Sequence, residues 1–238
     1  MKHFDIISIF PHSLDSYFAT SILRRAQVKK LIKIQTHDLR KWTKDKHKTV
    51  DGKPYGGGAG MVMMAKPILN ALRALRALRQ NQESRIKNKE KLRVILLAAN
   101  GKQFKQKDSS RLSKYDRLIF IAGRYEGIDA RVEKFINEKI SIGPYIVTGG
   151  ELPAAIIIDS VSRMIPGVVG KKESILNESF SKQKILNSRF QIPDSYREHP
   201  HYTRPEVFKV GSKKYRVPKV LLGGNHREIQ AWRKRKSK

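Results

Sequence analysis

Residues 123–129 read GRYEGID and residues 141–153 read SIGPYIVTGGELP, and these two stretches decide the fold. The first follows an apolar run at residues 117–122, and Ile140 leads into the second. Glycine at the end of a strand lets the backbone approach a ligand closely, because no Cβ intervenes. In open α/β sheets, ligands bind outside the carboxyl ends of the strands. The two stretches therefore predict a pocket made largely of main chain.

Further apolar runs extend this pattern into a sheet. They predict strands at residues 4–10, 31–36, 93–98, 117–122 and 139–147. Helix-like segments lie between them at residues 13–27 (with Ser13 as N-cap), 103–113, 127–137 and 152–164. Because strands and helices alternate, the order predicts an α/β fold with a mostly parallel sheet and helices on both faces.

A short repeat, ALRALRALR at residues 71–79, places Leu at every third position among strong helix formers. This spacing predicts an amphipathic helix packed on the surface, in preference to an RNA-binding element. Residues 81–91, which follow, are rich in charge and are expected to form a loop.

The charge balance indicates the class of partner. Lys and Arg number 50 against 21 Asp and Glu, for a formal net charge of +29 over 238 residues. Such an excess favours a polyanionic partner, although a soluble protein from an organism that favours Lys would share it. A ribosomal or nucleoid protein could carry this charge too, but would rarely have two glycine-rich strand ends.

Several classes of protein are excluded or disfavoured. The chain has no Cys, which excludes disulfides, thiolate metal sites and a Cys nucleophile, and favours a reducing compartment. Asp5 interrupts the first apolar run, and no run approaches the roughly 18–20 residues that span a bilayer. The His residues show no metal-binding spacing. We expect a cytoplasmic protein without a membrane partner or a protein-bound metal.

Composition also predicts domain boundaries. Residues 1–170 carry the strand and helix pattern, and residues 171–190 mix Lys, Ser, Asn and Gln as a linker does. Residues 191–238 form a smaller basic segment that ends in a short helix at 229–236 with a cationic tail.

A third glycine-rich stretch, DGKPYGGGAGM at residues 51–61, looks like a phosphate-cradling loop. No Gly-Lys-Ser/Thr follows it, and it does not lie tightly between a strand and a helix. A flexible loop is an equally good interpretation.

Six ordered segments resemble one family, the bacterial tRNA (guanine-N1)-methyltransferases of the TrmD type in the SPOUT superfamily. They are residues 46–61, 123–132, 141–153, 165–170, 177–180 and 199–206, and the resemblance covers residues 4–232. It implies methyl transfer from S-adenosylmethionine to N1 of guanosine 37 of tRNA, next to the anticodon. It also implies a deep trefoil knot at residues 93–170, an exception to the rule that chains do not thread their own loops.

The resemblance further implies a homodimer whose active site is shared between subunits, and a small, mainly helical C-terminal domain that binds tRNA. The sequence neither requires nor excludes Mg²⁺ as an additional cofactor. By family position, the residues that would hold S-adenosylmethionine come from three loops: Leu96, Leu97, Gly101, Gly123, Arg124, Tyr125, Glu126, Ser141, Ile142, Gly143, Tyr145, Val147, Gly149, Gly150, Leu152 and Pro153.

Guanine N1 bears a proton and is a poor nucleophile until a base removes it, while a cation can stabilise the charge that develops on O6. By family position the base is Glu178 and the cation is Arg163. The family most often has Asp in place of Glu178 and in place of Pro144. A solvated linker charge and a helix-end cation are the structural alternatives for Glu178 and Arg163.

The residues expected to contact tRNA lie in the glycine-rich loop and the C-terminal segment: Asp51, Tyr55, Gly57, Gly58, Ser179, His201, Arg204, Lys234 and Arg235. Two rival functions stay open. One is a knotted methyltransferase acting on another RNA guanosine, and the other is a degenerate RNA-binding protein without catalysis. Pro144 and Glu178 favour the degenerate protein, whereas Asp51, Arg124, Glu126 and Arg163 speak against it.

Overall fold

The structure, a computed structural model, describes residues 1–78, 90–170, 178–180 and 197–237. Two compact units divide the chain, Met1–Gly170 and Lys171–Lys238. The loop predicted at residues 81–91 lies almost entirely outside the described residues. So does the predicted linker at 171–190, apart from residues 178–180.

The first unit alternates strands and helices. In chain order it contains β1 (Lys2–Ser8), α1 (Asp15–Phe18), α2 (Ser21–Val28), β2 (Ile32–Asp38), a 3-10 helix (Leu39–Trp42), β3 (Asp51–Gly52), β4 (Val62–Met63), α3 (Ala65–Ala74), β5 (Leu92–Gln103), α4 (Gln106–Leu112), β6 (Arg117–Ala122), a second 3-10 helix (Ala130–Phe135), β7 (Glu138–Ser141) and α5 (Glu151–Arg163).

Five of these strands form one sheet in the order β2-β1-β6-β5-β7, and every pair is parallel. Side chains of β6 alternate between two cores. Leu118 and Phe120 pack with α2, α4 and α5 on one face, whereas Ile119 and Ile121 pack with α3 on the other. A strand covered on both faces reads as a continuous apolar run. The predicted α/β fold, with its parallel sheet and flanking helices, is confirmed.

The helix predicted at residues 13–27 is instead two helices, α1 and α2. Thr20 is extended, with φ −119° and ψ 159°, and Ser21 has a positive φ of 47°, so the chain cannot continue one helix through them. Ser13 lies in a turn, where its amide donates to the Phe10 carbonyl, and it does not cap a helix.

The ALR repeat does begin in a helix, but α3 ends at Ala74, five residues before the repeat does. Arg76 adopts φ 54°, and its amide donates to the Arg73 carbonyl while the Ala77 amide donates to the Leu72 carbonyl. These two bonds form a Schellman motif, which usually has Gly in the left-handed position. Because Arg76 occupies that position in place of Gly, the sequence contained no indication that the helix ends there.

Residues 127–147 also differ from expectation. The helix predicted at 127–137 is only the 3-10 helix Ala130–Phe135, and the strand predicted at 139–147 ends at Ser141. Beyond β7 the chain leaves the sheet and returns to the end of β6, where the Gly150 amide donates to the Gly123 carbonyl. That long-range bond fixes the end of residues 142–150 against β6.

The second unit contains a hairpin and a helix in its described residues. The antiparallel strands β8 (Val207–Val210) and β9 (Lys213–Arg216) precede a 3-10 helix (Lys219–Leu221) and α6 (His226–Lys236). Asn225 caps α6, which therefore begins three residues before the predicted start. The rings of His199 and Tyr202 pack edge-on against the buried Trp232 of α6. The hairpin adds a β element to a segment that was predicted to be mainly helical.

Within the described part of the chain, no helix combines the length and the apolar character needed to cross a membrane.

Candidate active site

A cavity of about 450 Å³ lies at the carboxyl ends of β5, β6 and β7, within the first unit. Its volume is in the range of small-molecule sites. The wall is formed by three strand ends and the loops that follow them: Leu96, Leu97, Ala98, Ala99, Asn100, Gly123, Arg124, Tyr125, Glu126, Gly127, Ile128, Glu133, Lys139, Ile140, Ser141, Ile142, Tyr145, Ile146, Val147, Thr148, Gly149, Gly150 and Pro153.

The wall contributed by β5 depends on a break in its pairing. Leu97 and Lys102 both pair with Ile140 of β7, so residues 98–101 bulge out of the ladder. A Cβ on Gly101 would come within 2.7 Å of the Ile140 backbone. Glycine therefore permits the close strand crossing that places Ala98, Ala99 and Asn100 in the cavity wall.

The loop after β6 is held by the glycine-rich stretch at residues 51–61. The Glu126 amide donates to the Met61 carbonyl, the Met63 amide to the Gly127 carbonyl, and the Asp129 amide to the Met63 carbonyl. These bonds attach the short β3–β4 ladder to the edge of the cavity. The glycine-rich stretch is thus part of the site's surroundings, and Gly60 lies directly against the Glu126 side chain.

A buried ionic network connects this loop to α5. The Glu151 side chain, only 4% exposed, accepts from Arg124 Nε at 3.0 Å and from the Ser8 hydroxyl at 2.6 Å. The Arg124 guanidinium also lies 4.7 Å from the centre of the Phe10 ring. These contacts hold one edge of Arg124, so that its loop keeps a single shape at the cavity wall.

The third wall, residues 142–150, is anchored at both ends. Ser141 Oγ accepts from the Gly143 amide at 3.2 Å, and the Gly150 amide donates to the Gly123 carbonyl at 2.8 Å. Between these anchors Tyr145 and Ile146 are exposed. The loop therefore offers exposed apolar side chains to a ligand.

Most of the residues predicted to hold the cofactor line this one cavity. The exceptions are Gly101, which packs on β7, and Gly143 and Leu152, which lie outside the wall. Gly143 is buried beneath the Tyr145 ring, and Leu152 is exposed on α5.

Sequence reasoning missed three wall residues that lie outside the predicted loops and the two glycine-rich stretches: Glu133, Lys139 and Ile140. Gly127 and Ile128 lie in the stretch at residues 123–129 but are not among the predicted cofactor residues. Lys139 Nζ lies 2.7 Å from Glu133 Oε1. This ion pair links the second 3-10 helix to β7, and no residue spacing in the sequence predicts it.

The cavity wall combines main-chain groups, carboxylates and a guanidinium, which suits binding of a small polar ligand. Across the residues that the structure describes, no cluster of three or more His, Asp or Glu side chains could hold a metal ion.

The two predicted catalytic residues belong to different units, Arg163 to the first and Glu178 to the second. Arg163 is the last residue of α5, whose first residue, Glu151, lies beside the cavity. Thirteen helical residues separate the two ends by about 18 Å. The structure therefore does not bring Arg163 into the cavity of its own chain. Glu178 belongs to the second unit, where it is half-buried, and the Glu198 amide donates to the neighbouring Ser179 hydroxyl at 3.2 Å.

The residues predicted to contact tRNA fall into two groups. In the first unit, Asp51 pairs with Met63, whereas Tyr55 is fully exposed beside Gly57 and Gly58, both of which have positive φ. In the second unit, exposed polar side chains include His201, Arg204, Lys234 and Arg235. The last two lie in the final turn of α6, and His201 Nε2 is 3.4 Å from Glu198 Oε2.

The whole sequence, residues 1–238, matches the family described as tRNA (Guanine-1)-methyltransferase TrmD. A tRNA (guanine-N(1)-)-methyltransferase from Dictyoglomus turgidum is 45% identical over 237 residues, covering 100% of this chain and 85% of the relative. Relatives with the same name from Clostridium tetani and Carboxydothermus hydrogenoformans are each 44% identical over 98% of this chain, covering 86% and 81% of their own lengths. This chain, with its main-chain cavity at three parallel strand ends, belongs to the tRNA (guanine-1)-methyltransferase family of enzymes.

Proposed function

We propose that this enzyme transfers a methyl group from S-adenosylmethionine to N1 of guanosine 37 of tRNA. The observation that carries the proposal is the glycine-rich cavity at the carboxyl ends of β5, β6 and β7, in a chain of this family. The net charge of +29 supports a polyanionic substrate.

The cavity fits S-adenosylmethionine in its donor set. Main-chain amides and carbonyls around Gly123 and Gly149 suit the hydrogen-bonding edge of adenine. Glu126 and Glu133 supply carboxylates that suit ribose hydroxyls and the positive charge of the ligand. When bound there, S-adenosylmethionine supplies an electrophilic methyl group on a sulfonium.

The remaining chemistry belongs to the chain's own residues. We assign Glu178 as the base that takes the N1 proton of guanine, which frees a lone pair for attack. Arg163 is assigned to stabilise the negative charge that develops on O6. Ser179 follows the proposed base directly in the sequence, and we assign it to contact with the tRNA substrate.

The proposed active site is shared between two copies of the chain. Arg163 and the cavity lie at opposite ends of α5, and this separation favours a partner's cavity as the place where Arg163 acts. Leu152 and Ile156 expose apolar side chains one turn apart on the same helix. A second copy that covers this stripe would form the homodimer.

Three finer assignments accompany this proposal. Residues 93–170 would form the trefoil knot, supported by the return of residues 142–150 to the end of β6. Residues 1–170 would be the methyltransferase domain, and residues 191–238 would bind tRNA together with the loop that carries Tyr55. We place the enzyme in the cytoplasm, because its proposed substrate is found there.

Methyl transfer to a tRNA transcript with guanosine at position 37 tests the proposal. A matched transcript with adenosine at that position is the control, and mass spectrometry after nuclease digestion locates the product. Label at N1 of guanosine 37 alone is the expected result. Label on both transcripts would indicate another RNA site, and bound cofactor without transfer would indicate the degenerate RNA-binding protein.

Parallel reactions with Mg²⁺ and with EDTA determine whether transfer requires the metal.

A further inference from the structure

The hairpin of the second unit presents two different faces. Its register pairs Phe208 with Tyr215 and Val210 with Lys213, so these four side chains share one face, here called the aromatic face. The two-residue turn starts at Gly211 with φ 57°, the left-handed conformation that such hairpin turns need. The Val217 amide extends the ladder by donating to the Glu206 carbonyl.

Two aromatic rings are stacked in the open on this face. The ring centroids of Phe208 and Tyr215 are 5.2 Å apart with only 13° between their planes. The two residues are nevertheless 52% and 46% exposed. A cross-strand pair stabilises a hairpin, but that role alone does not require the outer ring faces to remain open to solvent.

The hairpin that carries the stacked rings is rich in cations. Residues 206–219 contain one carboxylate, Glu206, and five exposed cations: Lys209, Lys213, Lys214, Arg216 and Lys219. None of the five forms an ion pair with another residue in the described ranges. Exposed flat rings on one face of a hairpin that carries several cations match the two components of a nucleic acid, its bases and its phosphates.

We propose that the aromatic face is a stacking site for an unpaired nucleotide of the RNA substrate. A base would extend the Phe208–Tyr215 stack by one ring, while Lys209 and Lys214 on the opposite face and Lys213 beside the rings attract the phosphates. An unpaired nucleotide is required, because a base within a helix already has both faces stacked. This inference rests on the proposed function, since it assumes that tRNA is the substrate.

Equilibrium binding of the full-length protein to the guanosine-37 transcript tests this inference. Phe208→Leu and Tyr215→Leu retain apolar bulk but lose the planar ring, and each should weaken binding about tenfold. Tyr215→Phe keeps the ring and should bind like the unaltered chain. Val28→Ala, which trims an exposed side chain at the end of α2 and outside the hairpin, is the control.

The contribution of charge is measured separately. Lys209→Ala and Lys214→Ala should lower the slope of log affinity against log salt by about 0.7–0.9 per lost contact. The two Leu variants should leave this slope unchanged, because stacking releases no counterions. Affinity losses confined to the Lys variants would overturn the stacking site.

Ultraviolet crosslinking at 254 nm identifies the contacted nucleotide in the unaltered chain. We expect a crosslink between residues 205–218 and a nucleotide of a tRNA loop. A crosslink only to stem nucleotides, or none together with unchanged affinity of both Leu variants, would refute the proposal. A changed oligomeric state of these variants with unchanged RNA affinity would assign the face to a subunit interface instead.

Two controls keep the outcomes distinct. Hydrogen exchange over residues 206–217 reports whether each variant keeps its hairpin. If a variant loses the hairpin, the crosslink formed by the unaltered chain tests the stacking site in its place. Methyl transfer is measured on the same preparations. Absence of transfer by the unaltered enzyme would contradict the proposed function, whereas transfer without any effect of the Leu substitutions on binding contradicts only the stacking site.

Discussion

Arg124 Nε donates to Glu151 Oε2 across 3.0 Å and thereby joins the loop after β6 to the first turn of α5. Glu151 is buried, and its other carboxylate oxygen accepts from the Ser8 hydroxyl. One carboxylate therefore connects three parts of the chain that are distant in sequence. The cavity depends on this connection, because Arg124 lies in its wall.

Loss of this pair should weaken both the fold and the cavity. We expect Glu151→Gln to lower the free energy of unfolding by about 1–3 kcal/mol, because the half-buried Arg124 guanidinium loses its buried counter-charge. A double-mutant cycle with Arg124→Met in urea unfolding should give a coupling of at least about 0.5 kcal/mol. A coupling indistinguishable from zero would show that the two side chains act independently. Isothermal titration of S-adenosylmethionine should also show weaker binding to Glu151→Gln.

Gly150 tests the close packing at the cavity. A Cβ there would lie 2.6 Å from Ala122 Cα and 2.8 Å from the Gly123 amide nitrogen. The backbone at Gly150, φ −80° and ψ −7°, suits alanine, so the effect of Gly150→Ala is steric alone. We expect it to lower the free energy of unfolding by about 1–3 kcal/mol and to impair cofactor binding.

The matched control is Gly170→Ala, because a Cβ at Gly170 meets nothing within 4 Å. It should leave the free energy of unfolding unchanged or raise it slightly. Equal destabilisation by the two substitutions in chemical unfolding would contradict the packing explanation.

Arg163 should act on the transition state. We expect Arg163→Ala to lower kcat by about 10²–10³-fold while the affinity for S-adenosylmethionine is preserved, because the cation stabilises charge on the guanine O6. Arg73→Ala removes a cation from the last turn of α3 and should leave kcat unchanged. A parallel loss of cofactor affinity in Arg163→Ala would count against the assigned role.

Glu178 should control proton removal. Glu178→Gln keeps the shape of the side chain but cannot accept the N1 proton, so kcat should fall by about 10²–10⁴-fold. Glu178→Asp should retain partial activity, and Glu228→Gln, in the first turn of α6, serves as the control. Steady-state methyl transfer measures kcat for each variant. A kcat of Glu178→Gln equal to that of the unaltered enzyme would identify another base.

Stability should depend on pH through Asp5. Burial alone would raise the pKa of the Asp5 carboxyl, but hydrogen bonds from His37 and Arg117, at 2.6 and 2.7 Å, lower it below its ordinary value. Because the pKa of Asp5 is lower in the folded than in the unfolded chain, ionised Asp5 stabilises the fold at pH values above the unfolded-state pKa of about 3.9. This stabilisation is lost as the pH falls from there through the folded-state pKa.

Asp5→Asn should therefore destabilise the protein by about 1–3 kcal/mol at pH 7, and the difference should shrink below pH about 4. Urea unfolding at several pH values measures this difference in the free energy of unfolding. The control is Asp15→Asn, because the Asp15 side chain is exposed. A difference between Asp5→Asn and the unaltered chain that stays constant from pH 7 to 3.5 would contradict this linkage.

Local chemistry made much of the sheet predictable. The strands β5 and β6 read as continuous apolar runs because both of their faces are buried. The glycine-rich stretches that follow β6 and β7 indicated a ligand site, since only glycine tolerates the approach seen at Gly150. Family motifs then named the expected ligand and reaction, which periodicity alone could not do.

Tertiary structure decided what depends on partners distant in the chain. Strand β7 ends at Ser141, and residues 142–150 return to the end of β6, where the Gly150 amide donates to the Gly123 carbonyl. Glu133 and Lys139 become neighbours in the cavity wall only after the 3-10 helix and β7 fold. Propensity and periodicity are local properties of the sequence, whereas register, loop return and burial of a charge pair depend on the whole sheet. The sequence by itself therefore determined most of the parallel sheet and the kind of site. The tertiary structure decided where β7 ends, added the β8–β9 hairpin and determined which side chains form the site.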